Sequence, residues 1–131
     1  MIMFEPCESI AEWVSERTGG IFNNYRAIAY CDKQGFIKAG AVFNLWTGND
    51  ISATVAAEIL HPSFLKALGQ YCFGTLKCNR VSLRTRADNT SAISAIKRIG
   101  CKLEGRQARW YVNCDALIFG VLKEDYLYHD F

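Results

Sequence analysis

The chain has 131 residues, of which half are hydrophobic and 13% aromatic, with a formal net charge of +2. This length suits one domain with a single core, and the composition excludes a disordered or low-complexity chain. No run of about 18 apolar residues occurs, so no membrane span is expected, and so small a net charge argues neither for nor against a nucleic-acid partner.

Six cysteines are present: Cys7, Cys31, Cys72, Cys78, Cys101 and Cys114. They form no C-x-x-C pair and no Cys/His cluster with zinc spacing, so no metal is expected. Most fall where strands or helices are expected, and there a free thiol acts as a small hydrophobe. Residues 1–16 carry acids where a secretory leader would be basic and lack a continuous apolar run, which points to a cytoplasmic protein.

In chain order, residues 8–17 read as a helix with Ile10, Trp13 and Val14 on one face, begun by Glu8 or Ser9 and ended by Thr18-Gly19-Gly20. Residues 26–32, 36–46 and 51–58 read as three strands. The turns Lys33-Gln34-Gly35 and Thr47-Gly48-Asn49-Asp50 join them into an antiparallel meander. Pro62 suits the first turn of a helix and biases His61 to an extended backbone. That helix runs to about residue 77, with Leu65, Leu68, Cys72 and Leu76 as its buried stripe.

The stretch from Arg80 to Arg106 organises the rest. Residues 80–86 form a strand with Val81, Leu83 and Thr85 on one face and Arg84 and Arg86 on the other. Ala87-Asp88-Asn89 turns into a helix marked by Ile93, Ile96 and Ile99, which Gly100 stops. Residues 101–106 and 107–112 are extended. Residues 116–123 form a last strand, apolar on both faces and therefore internal to the sheet. The tail, 124–131, is charged and aromatic.

Asn89, Ser91 and Ala92, followed by Gly100, Cys101, Glu104, Gly105 and Arg106, resemble the C-terminal half of the GNAT family of acetyl-CoA-dependent N-acetyltransferases, with Cys101 replacing a usual Phe. The hairpin Y-C-D-K-Q-G-F-I-K-A-G-A-V-F-N and the following G-N-D-I-S-A-T-V-A are similar to short members of that family, many from bacteriophages and prophages. The resemblance covers residues 26–123. It implies a single α/β (α+β) domain over residues 1–131, with a mixed, mostly antiparallel sheet in the order α-β-β-β-α-β-α-β-β.

The resemblance further implies acetyl-CoA as co-substrate. Its pantetheine arm would lie along strand 51–58 at Thr54, Val55 and Ala56, and its pyrophosphate on the helix start at Ser63 and Phe64, with Asn89, Ser91 and Ala92 beside it. A helix start suits a phosphate because its N–H groups are unpaired and its dipole end is positive. This chain departs from the family loop: Ile59-Leu60-His61-Pro62-Ser63-Phe64 has no glycine and no arginine. Asn89 reads equally as a helix cap. Arg84 and Arg86 read either as contacts to the CoA phosphates or as a solvated strand face. Glu58, His61 and Asp50 are the candidate bases, each with an ordinary structural alternative. The family's tyrosine acid has no counterpart, since Ile96 stands at that place.

The implied function is acetyl transfer to a primary amine of a small molecule or a protein. The alternative is a non-catalytic module of this fold, acting through a protein contact at aromatics such as Trp110 and Tyr111. Pairing with a second copy through a sheet edge is open. Nucleic-acid binding through Arg80, Arg84, Arg86, Lys97, Arg98, Lys102, Arg106 and Arg109 ranks third, because no recognition motif accompanies these residues.

Overall fold

In the computed structural model, which describes residues 1–129, the strands form one sheet; Arg26–Cys31, Ile37–Asn44 and Cys114–Leu122 are largely apolar, whereas Arg80–Arg86 alternates buried and half-buried residues. The elements are β1 (Ile2–Met3), α1 (Cys7–Thr18), β2 (Arg26–Cys31), β3 (Ile37–Asn44), β4 (Asp50–Ala57), α2 (Pro62–Gly69), β5 (Arg80–Arg86), α3 (Thr90–Arg98), β6 (Lys102–Tyr111) and β7 (Cys114–Leu122). The sheet has seven strands in the order β1-β2-β3-β4-β5-β7-β6. Every pairing is antiparallel except β4 with β5. The meander and the internal position of the last strand are as expected.

On one face, α2 and α3 cover a core containing Phe43, Phe64, Phe73, Val81, Leu83 and Phe119. Burying a side chain of this kind contributes about 1.5–3 kcal/mol. On the other face, Ile10, Ala11 and Val14 of α1 pack on Ala27, Ala29 and Val42. Beyond α1, the second face carries polar side chains from β5 and β6, with Ala116, Ile118 and Gly120 of β7 between them. Arg80 ion-pairs with Asp50 at 2.9 Å and Glu104 at 2.6 Å. Glu104 reaches it by lying over Gly120, where any Cβ would collide with its carboxylate.

Three features differ from the sequence reading. The first is β1, which pairs with β2 through Ile2↔Tyr30 and Met3↔Ala29; two residues are too short to show a period. The second concerns β6, the single strand expected at 101–112, whose pairing with β7 is irregular at Leu103/Gly105 and Gln107/Tyr111. Bulges of this kind break the alternation that periodicity detects. The third is the continuation of α2, which is π-helical over Gln70–Thr75. α1 starts at Cys7, with Pro6 as its cap residue.

The tail packs back on the domain. Tyr126 is 1% exposed and its hydroxyl donates to the Leu65 carbonyl at 2.6 Å. Gly100 (φ 106°) lets Asp125 pass where a side chain would clash. Asp130 and Phe131 lie outside the described residues. Cys31, Cys72, Cys78 and Cys101 are buried, and all six thiols are free. No helix among the described residues is long and apolar enough to cross a membrane.

Candidate active site

β4 and β5 pair over four residues only, from Asp50↔Arg80 to Ala53↔Leu83. Beyond that point each strand follows its outer neighbour. β4 stays with β3 as far as Ala57, and β5 stays with β7 as far as Arg86. Thr54–Ala57 therefore face a gap on their β5 side, where backbone N–H and C=O groups have no strand partner. Such groups need other partners.

A cavity opens on each face of this gap. One, of about 290 Å³, lies on the α2–α3 face between Leu60, Leu65, Ala92 and Ile96. The other, of about 260 Å³, lies on the α1 face among Arg17, Arg84, Arg86 and Tyr111. Val55, Ala56, Ala57, Glu58 and Asn89 line both. The gap thus joins two chambers across the sheet.

Asn89 sits where β5 turns into α3. Its Oδ1 accepts from the Ala92 N–H at 3.1 Å and from the Ser91 hydroxyl at 3.2 Å, so the capping role holds. The cap uses only the oxygen of the amide, and Asn89 lines both cavities. Ser91 and Ala92 line the α2–α3 cavity. Val55 and Ala56 line both cavities, whereas Thr54 lies at the closed end of the gap and lines neither. The Glu58 carboxylate, 48% exposed, lies 3.5 Å from Arg17 and 3.5 Å from Lys38.

The other expected residues lie elsewhere. Asp50 is at the paired end of β4, where its Oδ1 accepts from Arg80 and from the Ser82 hydroxyl, both at 2.9 Å. His61 caps α2 and stacks on Tyr30 with ring centroids 4.7 Å apart. Neither lines the gap cavities. Ser63 is exposed outside them, and Phe64 is fully buried in the core, so its ring is closed to any ligand.

The start of α2 does not offer the cradle that a pyrophosphate needs. Pro62 has no N–H. The Ser63 N–H donates to His61 Nδ1 at 3.1 Å, and the N–H groups of Phe64 and Leu65 donate to the His61 carbonyl at 3.0 and 3.3 Å. Upstream, the N–H groups of Glu58 and Ile59 donate to the Lys38 carbonyl. Only Leu60 and His61 keep amides for a ligand. Arg98 is the one cation lining the adjoining cavity. The helix start therefore offers few free donors for the pyrophosphate that was expected there.

Three further residues line the cavity on the α1 face. Arg84 and Arg86, read either as contacts to the CoA phosphates or as a solvated strand face, project there, away from the α2–α3 cavity. Tyr111 reaches that chamber from the far end of β6 because the bulges re-aim it. Burial raises its phenol above the ordinary value, with Arg84 and Arg86 pulling the other way, so the hydroxyl keeps its proton at neutral pH. Cys101, in the place of the family's Phe, is pushed up to about 12 by burial and is no nucleophile.

A further cavity, about 710 Å³, is a separate hollow at the β6–β7 turn, around Arg106, Arg109 and Asp115. Arg106 pairs with Asp115 there at 2.7 Å. Arg80 and Arg86 of the basic stretch are also paired to carboxylates. Among the described residues, no group of three or more His, Cys, Asp or Glu side chains could hold a metal ion.

No family model matches the chain, and no curated protein matches it. Solved structures do. The spermidine/spermine N-acetyltransferase SpeG from Vibrio cholerae, in complex with manganese ions, aligns with a TM-score of 0.75 at 11% identity, over 100% of this chain and 96% of that one. The F149A mutant of the Vibrio cholerae enzyme gives 0.75 at 12%, over 97% of each chain. A putative phosphinothricin N-acetyltransferase gives 0.66 at 10%, over 93% and 97%. The chain has the GNAT fold, an architecture shared with these N-acetyltransferases.

Proposed function

We propose that this chain is an N-acetyltransferase that passes an acetyl group from acetyl-CoA to a primary amine by direct attack. The observation that carries the reading is the β4–β5 gap, open to a separate cavity on each face. Two reactants can enter from opposite sides and meet at Val55–Glu58. Holding them together supplies much of the rate.

The donor enters from the α2–α3 face, with its arm along the unpaired edge of β4 and the Asn89 NH₂ donating to it. The amine enters from the α1 face. Its nitrogen attacks the thioester carbonyl, the C–S bond breaks, and backbone N–H groups of β4 facing the gap stabilise the developing oxyanion. Glu58 takes the amine's proton, directly or through water, and Tyr111 is the protonated group on the acceptor side that can supply one to the thiolate.

The test is to incubate the purified protein with acetyl-CoA and a panel of amines, following thiol release and the mass of the product. Acetylated amine is expected, and Glu58→Gln should lower kcat by about 10²-fold. Absence of any transfer by folded protein would overturn the reading.

A further inference from the structure

The acceptor-side chamber is cationic. Its lining carries the guanidinium groups of Arg17, Arg84 and Arg86 against the single carboxylate of Glu58. Two of these cations are already engaged. Arg86 holds Asp88 through Nε and Nη2, both at 3.0 Å. Arg17 lies over the Trp13 ring at 3.7 Å and between Glu16 and Glu58.

Arg84 differs. Among the described residues no carboxylate lies within ion-pair distance of it. Its Nε donates to Gln107 Oε1 at 3.0 Å, and its guanidinium lies 4.2 Å from the Trp110 ring centroid. A neutral amide and an aromatic face thus fix the plane of the group and leave its two terminal nitrogens to a ligand. A planar guanidinium held this way matches a carboxylate through two parallel hydrogen bonds.

Resting on the acetyl-transfer reading above, we propose that the acceptor is a small amine that also bears a carboxylate, as an amino acid does. Arg84 takes the carboxylate and Glu58 faces the amine. The cavity, about 260 Å³, lies below the roughly 300–1,000 Å³ usual for drug-sized ligands, which suits a molecule of amino-acid size. A polycationic acceptor would meet the unpaired guanidinium of Arg84, with Glu58 already shared by Arg17 and Lys38, an arrangement that selects against it.

The test measures kcat/KM at saturating acetyl-CoA for free amino acids, the matching amino-acid amides, and spermidine. The expected result is a preference of tenfold or more for at least one amino acid over its amide and over spermidine. Arg84→Gln should erase that preference through KM, with kcat changed by less than twofold, and Arg84→Lys should restore part of it. Unchanged acetyl-CoA binding by the variants serves as the check on folding. Should spermidine or an amide be acetylated as well as any amino acid, or should Arg84→Gln leave the preference intact, the proposal fails while acetyl transfer stands. If no amine at all is acetylated, both fail.

Discussion

At Asn89 one side chain serves two purposes, and substitution can separate them. Its Oδ1 caps α3 through the Ala92 N–H, and the residue lines both cavities, where its NH₂ is the proposed donor to the acetyl-CoA arm. Asn89→Ser keeps a capping oxygen and loses the amide donor. The expected result is a melting temperature close to wild type, with acetyl-CoA binding weaker by about tenfold, the loss of one hydrogen bond. Asn89→Ala should lose the cap as well, at about 1 kcal/mol. Calorimetry and thermal melts on the same samples check both. Asp115 carries a prediction in pH. Its carboxyl is held below the ordinary value of 3.8, first by the Arg109 N–H and then by the Arg106 guanidinium. A folded-state value below the unfolded one means the stabilisation is fully present above the unfolded value and is lost as pH falls through the lowered one. Asp115→Asn should therefore lower the melting temperature at pH 7, and the two proteins should converge as the pH drops below 3.8. Exposure of the pair and screening by salt keep the effect small.

Among the elements, α2 is the one whose local chemistry departs most from the resemblance. Because His61 and Pro62 occupy or remove the donors of its first turn, the nucleotide end of the donor gains little there. Acetyl-pantetheine should serve as donor with kcat/KM within about tenfold of acetyl-CoA, and Ser63→Ala should leave acetyl-CoA affinity within about twofold. A loss of 10²-fold or more on removing the nucleotide would show a phosphate grip that this helix start does not display. The C-terminal segment gives an element-level stability test. Gly100 has φ 106° and its α-carbon abuts the Asp125 carbonyl, so Gly100→Ala combines backbone strain with a clash. Destabilisation by about 1–3 kcal/mol is expected from chemical denaturation. Tyr126→Phe, which leaves the Leu65 carbonyl without that hydroxyl, should cost about 1 kcal/mol.

On the scale of the whole molecule, the two cavities and the gap between them follow from pairing rather than from any single residue. This explains what could be read in advance. The alternation at Arg80–Arg86 and the Asn89-to-Gly100 helix are local patterns, and both stand in the structure where the sequence put them. The order of helices and strands was legible for the same reason, apart from the two-residue β1. The splay was not readable from residues 50–86, because it depends on β4 following β3 and β5 following β7 past the same point. Arg84 and Arg86 were visible as one strand face, but only the sheet order shows which chamber that face lines. Tyr111 was hidden by the bulges that bring it round, and the engaged donors of α2 by a histidine whose ring bonds to the backbone two residues on. Of the three candidate bases Glu58 lines both cavities, and only the sheet pairing shows that Asp50 and His61 line neither. The central claim is that the gap receives the thioester. Calorimetric titration of the folded protein with acetyl-CoA tests it most directly. Binding at micromolar levels, about −8 kcal/mol, is predicted; no heat of binding up to millimolar acetyl-CoA would contradict the account and leave a GNAT-fold module that acts by protein contact.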